Sequence, residues 1–290
     1  MSKEPWEKVL WKEQPYPDDY VPERLFLSSL RKNPNFKPYT YWPLVLLSGA
    51  ISQHLASVFI FLDVFMLLHN GHLHPRILVC VAVACFLVGY TVWEIYDRRL
   101  TRHGHDPYKK PKTIKSSILL FFSLLCLAPV LRTLTAATSS DSIWALSACL
   151  FVLNALLADY TALEGRGPLL RLSSVLSTNA AISASVVLAS RLPYDLAVFA
   201  LVLFSVQSFA LFPILRRRLQ TTSPPVQIIL TVALASLALA LTTAVSVMVT
   251  YIYATAFAFV TFVAPALLVW AQQYKNEIRG QWDAAVPRIH

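Results

Sequence analysis

The chain has 290 residues, of which 56% are hydrophobic and 14% charged, and it carries a formal net charge of +9. A soluble domain holds about 25% charged residues, so this surface is mostly apolar and its natural solvent is lipid. Eight crossings of about 20 residues each use more than half of the length, which excludes a separate soluble nucleotide-binding domain.

Residues 1–41 differ from the rest. Pro15, Pro17, Pro22, Pro34 and Pro38 lie there among charges and aromatics, and prolines this dense break long helices. A short amphipathic helix is expected around 23–32, with Leu25, Phe26, Leu27 and Leu30 set against Arg24, Arg31 and Lys32. Trp6, Trp11, Tyr16 and Tyr20 carry rings suited to the headgroup level or to a protein partner, and the residues leave both open. No apolar stretch opens the chain, so no cleavable signal is expected and the first span does the targeting.

Span one is read at 42–69, introduced by the interfacial aromatics Tyr39 and Tyr41. Spans two to six follow at 76–96, 114–135, 142–160, 170–190 and 194–215. Residues 226–271 then run for 46 positions without a charge, more than the roughly 20 that one crossing needs. They divide into two spans with a tight turn near 246–251, although no Gly or Pro marks it. The expected architecture is all-α, a polytopic bundle of eight transmembrane helices. It has an N-terminal arm at 1–41, a membrane domain at 42–271 and a C-terminal tail at 272–290.

The cations set the orientation. Seven Lys and Arg lie in the arm, seven in the connection after span two, two after span four, three after span six and three in the tail. The remaining three, Arg76, Arg132 and Arg191, fall on the opposite side. Basic connections stay in the cytosol, so both termini are expected there. Seven spans would put the basic tail on the wrong side, which supports dividing the last apolar run.

Intramembrane polar groups are the candidates for function. Asp63 is the acid farthest from a span end, while Glu94, Asp97 and Asp159 close spans. Arg132 and Asp141 flank one non-cytosolic connection and are spaced to pair; Arg191 and Asp195 flank the next. These read as interfacial salt bridges or as contacts with a neighbouring protein. Asn154, Asn179 and Gln207 sit near the middle of their spans, where side-chain amides bond across helices or line a lipid cavity. Arg166, Arg171 and Arg216, Arg217 and Arg218 would lie at the cytosolic surface, where each basic residue near an anionic leaflet contributes about 1 kcal/mol. Cys80, Cys85, Cys126 and Cys149 all lie in apolar stretches, where they are expected as small buried hydrophobes without disulfides. His69, His72 and His74 cluster without a carboxylate beside them. No phosphate-binding loop, zinc-protease motif or nucleophile elbow is present. No catalytic residue, metal site or cofactor is therefore expected, and no nucleic-acid partner.

Specific stretches add what periodicity does not. They are Trp6-Glu7-Lys8-Val9-Leu10, Gln14-Pro15-Tyr16-Pro17-Asp18-Asp19-Tyr20, Pro129-Val130-Leu131-Arg132-Thr133-Leu134-Thr135 and Asp159-Tyr160. Leu176-Ser177-Thr178-Asn179-Ala180-Ala181, Leu188-Ala189-Ser190-Arg191-Leu192-Pro193, Phe209-Ala210-Leu211-Phe212-Pro213 and Trp282-Asp283 continue the series. In this order and spacing the chain resembles the PIG-C family, the C-type subunits of the phosphatidylinositol N-acetylglucosaminyltransferase complex.

The resemblance implies a component of the endoplasmic reticulum assembly that starts GPI-anchor biosynthesis, moving N-acetylglucosamine from UDP-GlcNAc to phosphatidylinositol on the cytosolic face. It implies that the glycosyltransferase chemistry belongs to the A-type component of that assembly. This multi-pass chain would then be non-catalytic, assembled with the catalytic A-type glycosyltransferase and with further subunits of the H, P, Q and Y type. On that basis Arg166, Arg171 and Asn179 are the lipid-headgroup candidates. The arm carrying Trp6, Trp11, Pro15, Tyr16 and Tyr20 would meet one of these partners, and Arg132 and Asp141 are further interface candidates. A lipid or solute transporter is the alternative, and a self-sufficient lipid-modifying enzyme the third reading.

Overall fold

The computed structural model describes residues 6–7, 13–17, 20, 31–32, 38–100, 109–135, 137–160, 168–220, 224–274 and 278–279. The chain divides into two compact units, Met1–Tyr41 with Ala266–His290, and Trp42–Pro265.

In the first unit, strand β1 (Arg31–Lys32) pairs antiparallel with β2 (Ile278–Arg279), Arg31 opposite Arg279. The Gln272 side chain brackets the backbone of Tyr39: its Oε1 accepts from Tyr39 N at 2.8 Å and its Nε2 donates to Tyr39 O at 2.9 Å. The N-terminal and C-terminal segments of the chain therefore meet. Tyr16 stacks on Tyr20 at 4.6 Å.

The helices are α1 (Tyr41–His69), α2 (Pro75–Leu100), α3 (Lys109–Thr133), α4 (Ser140–Leu157) and α5 (Pro168–Ala189). Then come α6 (Asp195–Val206), joined to α7 (Phe212–Gln220) by a π-helical turn, and α8 (Pro224–Val245). Last are α9 (Val247–Ala258) and α10 (Ala264–Ala271), joined by a second π-helical turn. Three of them, α2, α5 and α8, open on proline, whose missing N–H has no partner to lose in a first turn.

Among the described residues, seven helices are long and apolar enough to cross a membrane. The remaining expected crossing is α5, with 22 helical residues and a described apolar stretch at Ser174–Ala189.

Contacts within the second unit fix the directions. Trp144, Phe151 and Asn154 of α4 meet Phe65, Phe61 and His54 of α1, so α4 runs antiparallel to α1. Along α6 and α7, Phe209 meets Phe61 and Arg216 meets Ala50, again antiparallel. In α8, Thr231 meets Gln53 and Thr242 meets Asp63, so α8 is parallel to α1. Tyr253 and Thr261 meet Phe59 and Ser52, so the chain runs back through α9 and the turn after it. The uncharged run thus reverses as expected, and the reversal occupies one residue, Ser246, whose extended backbone (φ −162°, ψ 130°) ends one helix and begins the next.

Helix α1 is central, and its buried residues include Ala56, Phe61, Val64 and Phe65. They pack with Phe151, Phe199, Leu201 and Phe209 in one apolar cluster. Gly49 permits the close approach of α8: a Cβ there would lie 3.3 Å from Thr231 Oγ1.

Both π-helical turns have a cause in the sequence. Gln207–Leu211 precedes Pro213 and Phe259–Val263 precedes Pro265. A proline inside a helix clashes with the carbonyl four residues earlier and leaves it without a donor. For Pro265 that carbonyl is Thr261 O, and Ser48 Oγ of α1 donates to it at 3.4 Å.

Two expectations fail here. The four cysteines are free but exposed on outward helix faces rather than buried, because an apolar solvent removes the drive to turn them inward. Arg132 does not pair with Asp141. Its Nε lies 3.1 Å from Asp195 Oδ1, which bolts the end of α3 to the start of α6.

Candidate functional site

The polar residues of α1 organise the bundle. Successive helical residues point about 100° apart, so Ser52, Gln53 and His54 reach three different neighbours. Ser52 Oγ lies 3.0 Å from Thr261 Oγ1 on the turn between α9 and α10. Gln53 Nε2 donates to Thr231 Oγ1 of α8 at 2.8 Å. His54 Nε2 lies 2.9 Å from Asn154 Oδ1 of α4.

Asn154 carries the chain of bonds onward. Its Nδ2 donates to both Ser177 O and Ser177 Oγ of α5 at 2.9 Å, and Ser177 Oγ donates back to Asn154 O at 2.8 Å. With both amide hydrogens engaged, Asn154 presents its oxygen to His54, so the proton between them belongs to His54 Nε2. His54, Asn154 and Ser177 are 7%, 2% and 4% exposed, so this three-helix relay is sealed from solvent.

Basic groups close around the relay at the end of α4 and the start of α7. Tyr160 packs edge-on against His54 with ring centroids 5.7 Å apart, and its hydroxyl donates to Ala155 O at 2.7 Å. Arg216 is 3% exposed, and its guanidinium donates to Ala50 O of α1 at 3.3 Å. Arg217 donates to Ser174 Oγ at 3.1 Å and lies 3.6 Å from Asp159 Oδ2. The Nε–H groups of Arg216 and Arg217 are buried and have no acceptor among the described residues. Two guanidinium groups, one carboxylate, an imidazole and a phenol thus converge where α1, α4, α5 and α7 meet. Guanidinium groups with open hydrogens can bind the oxygens of an anion. Among the described residues no group of three His, Cys, Asp or Glu is placed to hold a metal.

At the opposite end, Arg132 reaches Pro193 O at 3.4 Å as well as Asp195. Arg191 donates to the carbonyls of Thr135 and Thr138 rather than to Asp195. Neither expected pair forms: Arg132 takes Asp195 and Arg191 takes two carbonyls of the preceding connection, because Thr135 and Thr138 lie against Arg191.

Of the other candidates, Arg166 and Trp11 lie outside the described residues. Arg171 falls within α5, and Asn179 is exposed on an outward face of the same helix. The structure does not bring Asn179 to the basic cluster. Asp141 is exposed in the first turn of α4, where a carboxylate complements the helix dipole. Trp6 is half-buried and Pro15 exposed. His54 is not among the candidates that the sequence offers. The adjacent Gln53 and His54 inside an apolar span were the available signal, since polar side chains at membrane depth seek partners.

The family profile of phosphatidylinositol N-acetylglucosaminyltransferase (GPI2) matches residues 6–283. The chain is 38% identical to the phosphatidylinositol N-acetylglucosaminyltransferase GPI2 subunit of Schizosaccharomyces pombe, over 99% of this chain and 88% of that one. It is 34% identical to the C-type subunit of phosphatidylinositol N-acetylglucosaminyltransferase in Homo sapiens, over 97% of this chain and 92% of that one. It is 26% identical to the GPI2 subunit of Saccharomyces cerevisiae over 99% of both chains. No solved structure matches. On a match that runs nearly end to end, through a polytopic helical bundle, the chain belongs to the phosphatidylinositol N-acetylglucosaminyltransferase GPI2 (C-type subunit) family.

Proposed function

We propose that this protein serves GPI-anchor biosynthesis as the non-catalytic membrane component of the complex that transfers N-acetylglucosamine from UDP-GlcNAc to phosphatidylinositol. It acts in the endoplasmic reticulum membrane with both termini in the cytosol. It holds a separate glycosyltransferase of the A type, with H, P, Q and Y type companions, and positions the lipid acceptor. Membership of the family, whose members are named as subunits of that transferase, supports the complex.

One observation carries the scaffold role. Five bonds between buried polar side chains and their partners tie one helix to another: Ser52 with Thr261, Gln53 with Thr231, His54 with Asn154, Asn154 with Ser177, and Asp63 with Thr242. Fixing a soluble donor's enzyme beside a lipid acceptor lowers the entropic cost of their encounter, and a rigid frame suits that task. Arg166 and Arg171 belong to the lipid-facing cytosolic surface in this reading, and Asn179 to an outward face. The arm with Trp6, Trp11, Pro15, Tyr16 and Tyr20 belongs to the partner interface in this reading, and Arg132 and Asp141 are further interface candidates.

The test is affinity purification from native membranes in mild detergent, followed by an assay of GlcNAc transfer to phosphatidylinositol. Activity should co-elute with a separate glycosyltransferase, and the purified chain alone in liposomes should show neither turnover nor flux. Turnover by the isolated chain would overturn the non-catalytic role, and solute or lipid flux would favour a transporter.

A further inference from the structure

Arg216 is the least exposed cation among the described residues, at 3%, yet its described partners are a single backbone carbonyl and no carboxylate within salt-bridge distance. A buried guanidinium is costly unless an acceptor or an anion completes it. Arg217, beside it, engages Asp159 and Ser174 and still leaves its Nε–H unbonded. Arg191, at the other end, also has an unbonded Nε–H, but it is only half-buried and binds two carbonyls.

Depth says what kind of anion is at hand. The Arg216 guanidinium sits on Ala50 O of α1. From Ala50 to His69, the last residue of α1, the helix rises about 29 Å at its usual pitch. The hydrocarbon core of a bilayer is about 30 Å thick. With the turn at 70–74, which carries Gly71 at φ 74°, taken as one interface, the opposite interface falls near Ala50 and Arg216, and the first turns of α1, expected from the sequence within span one, extend beyond the hydrocarbon core. The cationic cluster is therefore at headgroup depth, toward the end of the membrane domain where α1 begins.

We propose that Arg216 and Arg217, framed by Tyr160, His54 and Ser174, form a phosphate-binding site in which an oxyanion takes the guanidinium hydrogens that the described residues leave open. Planar guanidinium forks match phosphate oxygens in geometry. The chemistry admits two sources, the phosphodiester of an anionic lipid headgroup and the diphosphate of a sugar nucleotide, and the depth favours the lipid. The lipid assignment rests on the acceptor-positioning role proposed above; the anion site itself does not.

The test uses the full-length protein in detergent and reads its thermal unfolding midpoint. It is titrated separately with short-chain phosphatidylinositol, short-chain phosphatidylcholine, UDP-GlcNAc and inorganic phosphate. Phosphatidylinositol should raise the midpoint saturably and phosphatidylcholine should do so far more weakly. Arg216→Gln should weaken the phosphatidylinositol response at least tenfold, whereas Arg76→Gln, at an exposed arginine at the start of α2, should leave it unchanged. If Arg216→Gln fails to fold, Arg216→Lys keeps the charge but not the planar fork and should weaken binding at least threefold. Phosphatidylinositol affinity that does not change in a folded Arg216 variant overturns the site, as does the absence of a response to all anions. A response to UDP-GlcNAc without one to the lipid keeps the anion site and overturns the lipid assignment. GlcNAc transfer by the purified complex is measured independently, so loss of the scaffold role and loss of this site are told apart.

Discussion

Thr242 of α8 donates a hydrogen bond to Asp63 of α1, Oγ1 to Oδ2 at 2.7 Å, in the middle of a bundle where Thr242 is 0% and Asp63 2% exposed. A carboxyl group at that depth requires a partner, so the contact sets the seat of α8 against α1. Thr242→Val keeps the shape and removes the donor. It should cost about 1–3 kcal/mol, the usual penalty for stranding a buried polar group. Asp63→Leu on the same background should recover most of it, because an apolar pair replaces a polar one. Unfolding midpoints of Thr242→Val, Asp63→Leu and the double variant in one detergent decide the matter, and an additive loss in the double variant would contradict this account.

The relay from His54 through Asn154 to Ser177 predicts an asymmetric response. Asn154→Leu strands His54 Nε2 and removes the amide donor to Ser177 O, and should destabilise more than Ser177→Ala, which leaves the 2.9 Å bond between His54 and Asn154 in place. A double-mutant cycle between His54 and Asn154 should show a coupling of about 0.5–3 kcal/mol. A coupling near zero would mean that the two side chains do not share a proton.

Arg132 and Asp195 are 40% and 47% exposed at their side chains. Such pairs contribute about 0–1 kcal/mol, so Asp195→Asn should have little effect on stability. The informative result is the partner: exchanging the charges at 132 and 195 should restore any loss, whereas exchanging them at 132 and 141 should not. Rescue by the second exchange would return Arg132 to Asp141.

Cys80, Cys85, Cys126 and Cys149 are free and exposed. The purified chain in detergent should therefore react at all four thiols with a small membrane-soluble maleimide without denaturation. Labelling that appears only after unfolding would place them in the interior. Protection of some of them in the assembled complex would mark the helix faces that meet other components.

Much of the architecture was legible in the residues. The uncharged run at 226–271 needed a reversal, and Ser246 supplies it. The basic arm and tail needed to share a side, and Gln272 clasps Tyr39. The π-helical turns were not foreseen, although Pro213 and Pro265 inside their spans carried the signal. The salt bridges were assigned by nearness in sequence, which placed Arg132 with Asp141, while two connections packed together gave Arg132 to Asp195. Of the lipid candidates, Asn179 faces outward, and the buried basic group is Arg216 with the half-buried Arg217 beside it, which the sequence shows only as part of a run of three arginines.

The polytopic helical architecture and the family were legible in the sequence alone, because each depends on quantities that accumulate along one dimension: apolar length and the order of short matching stretches. Which polar groups meet was decided only by the tertiary structure. A rotation of one residue turns a helical side chain by about 100°, so Ser52, Gln53 and His54 bind three different helical segments. No property of those three residues in isolation specifies which segment each one finds.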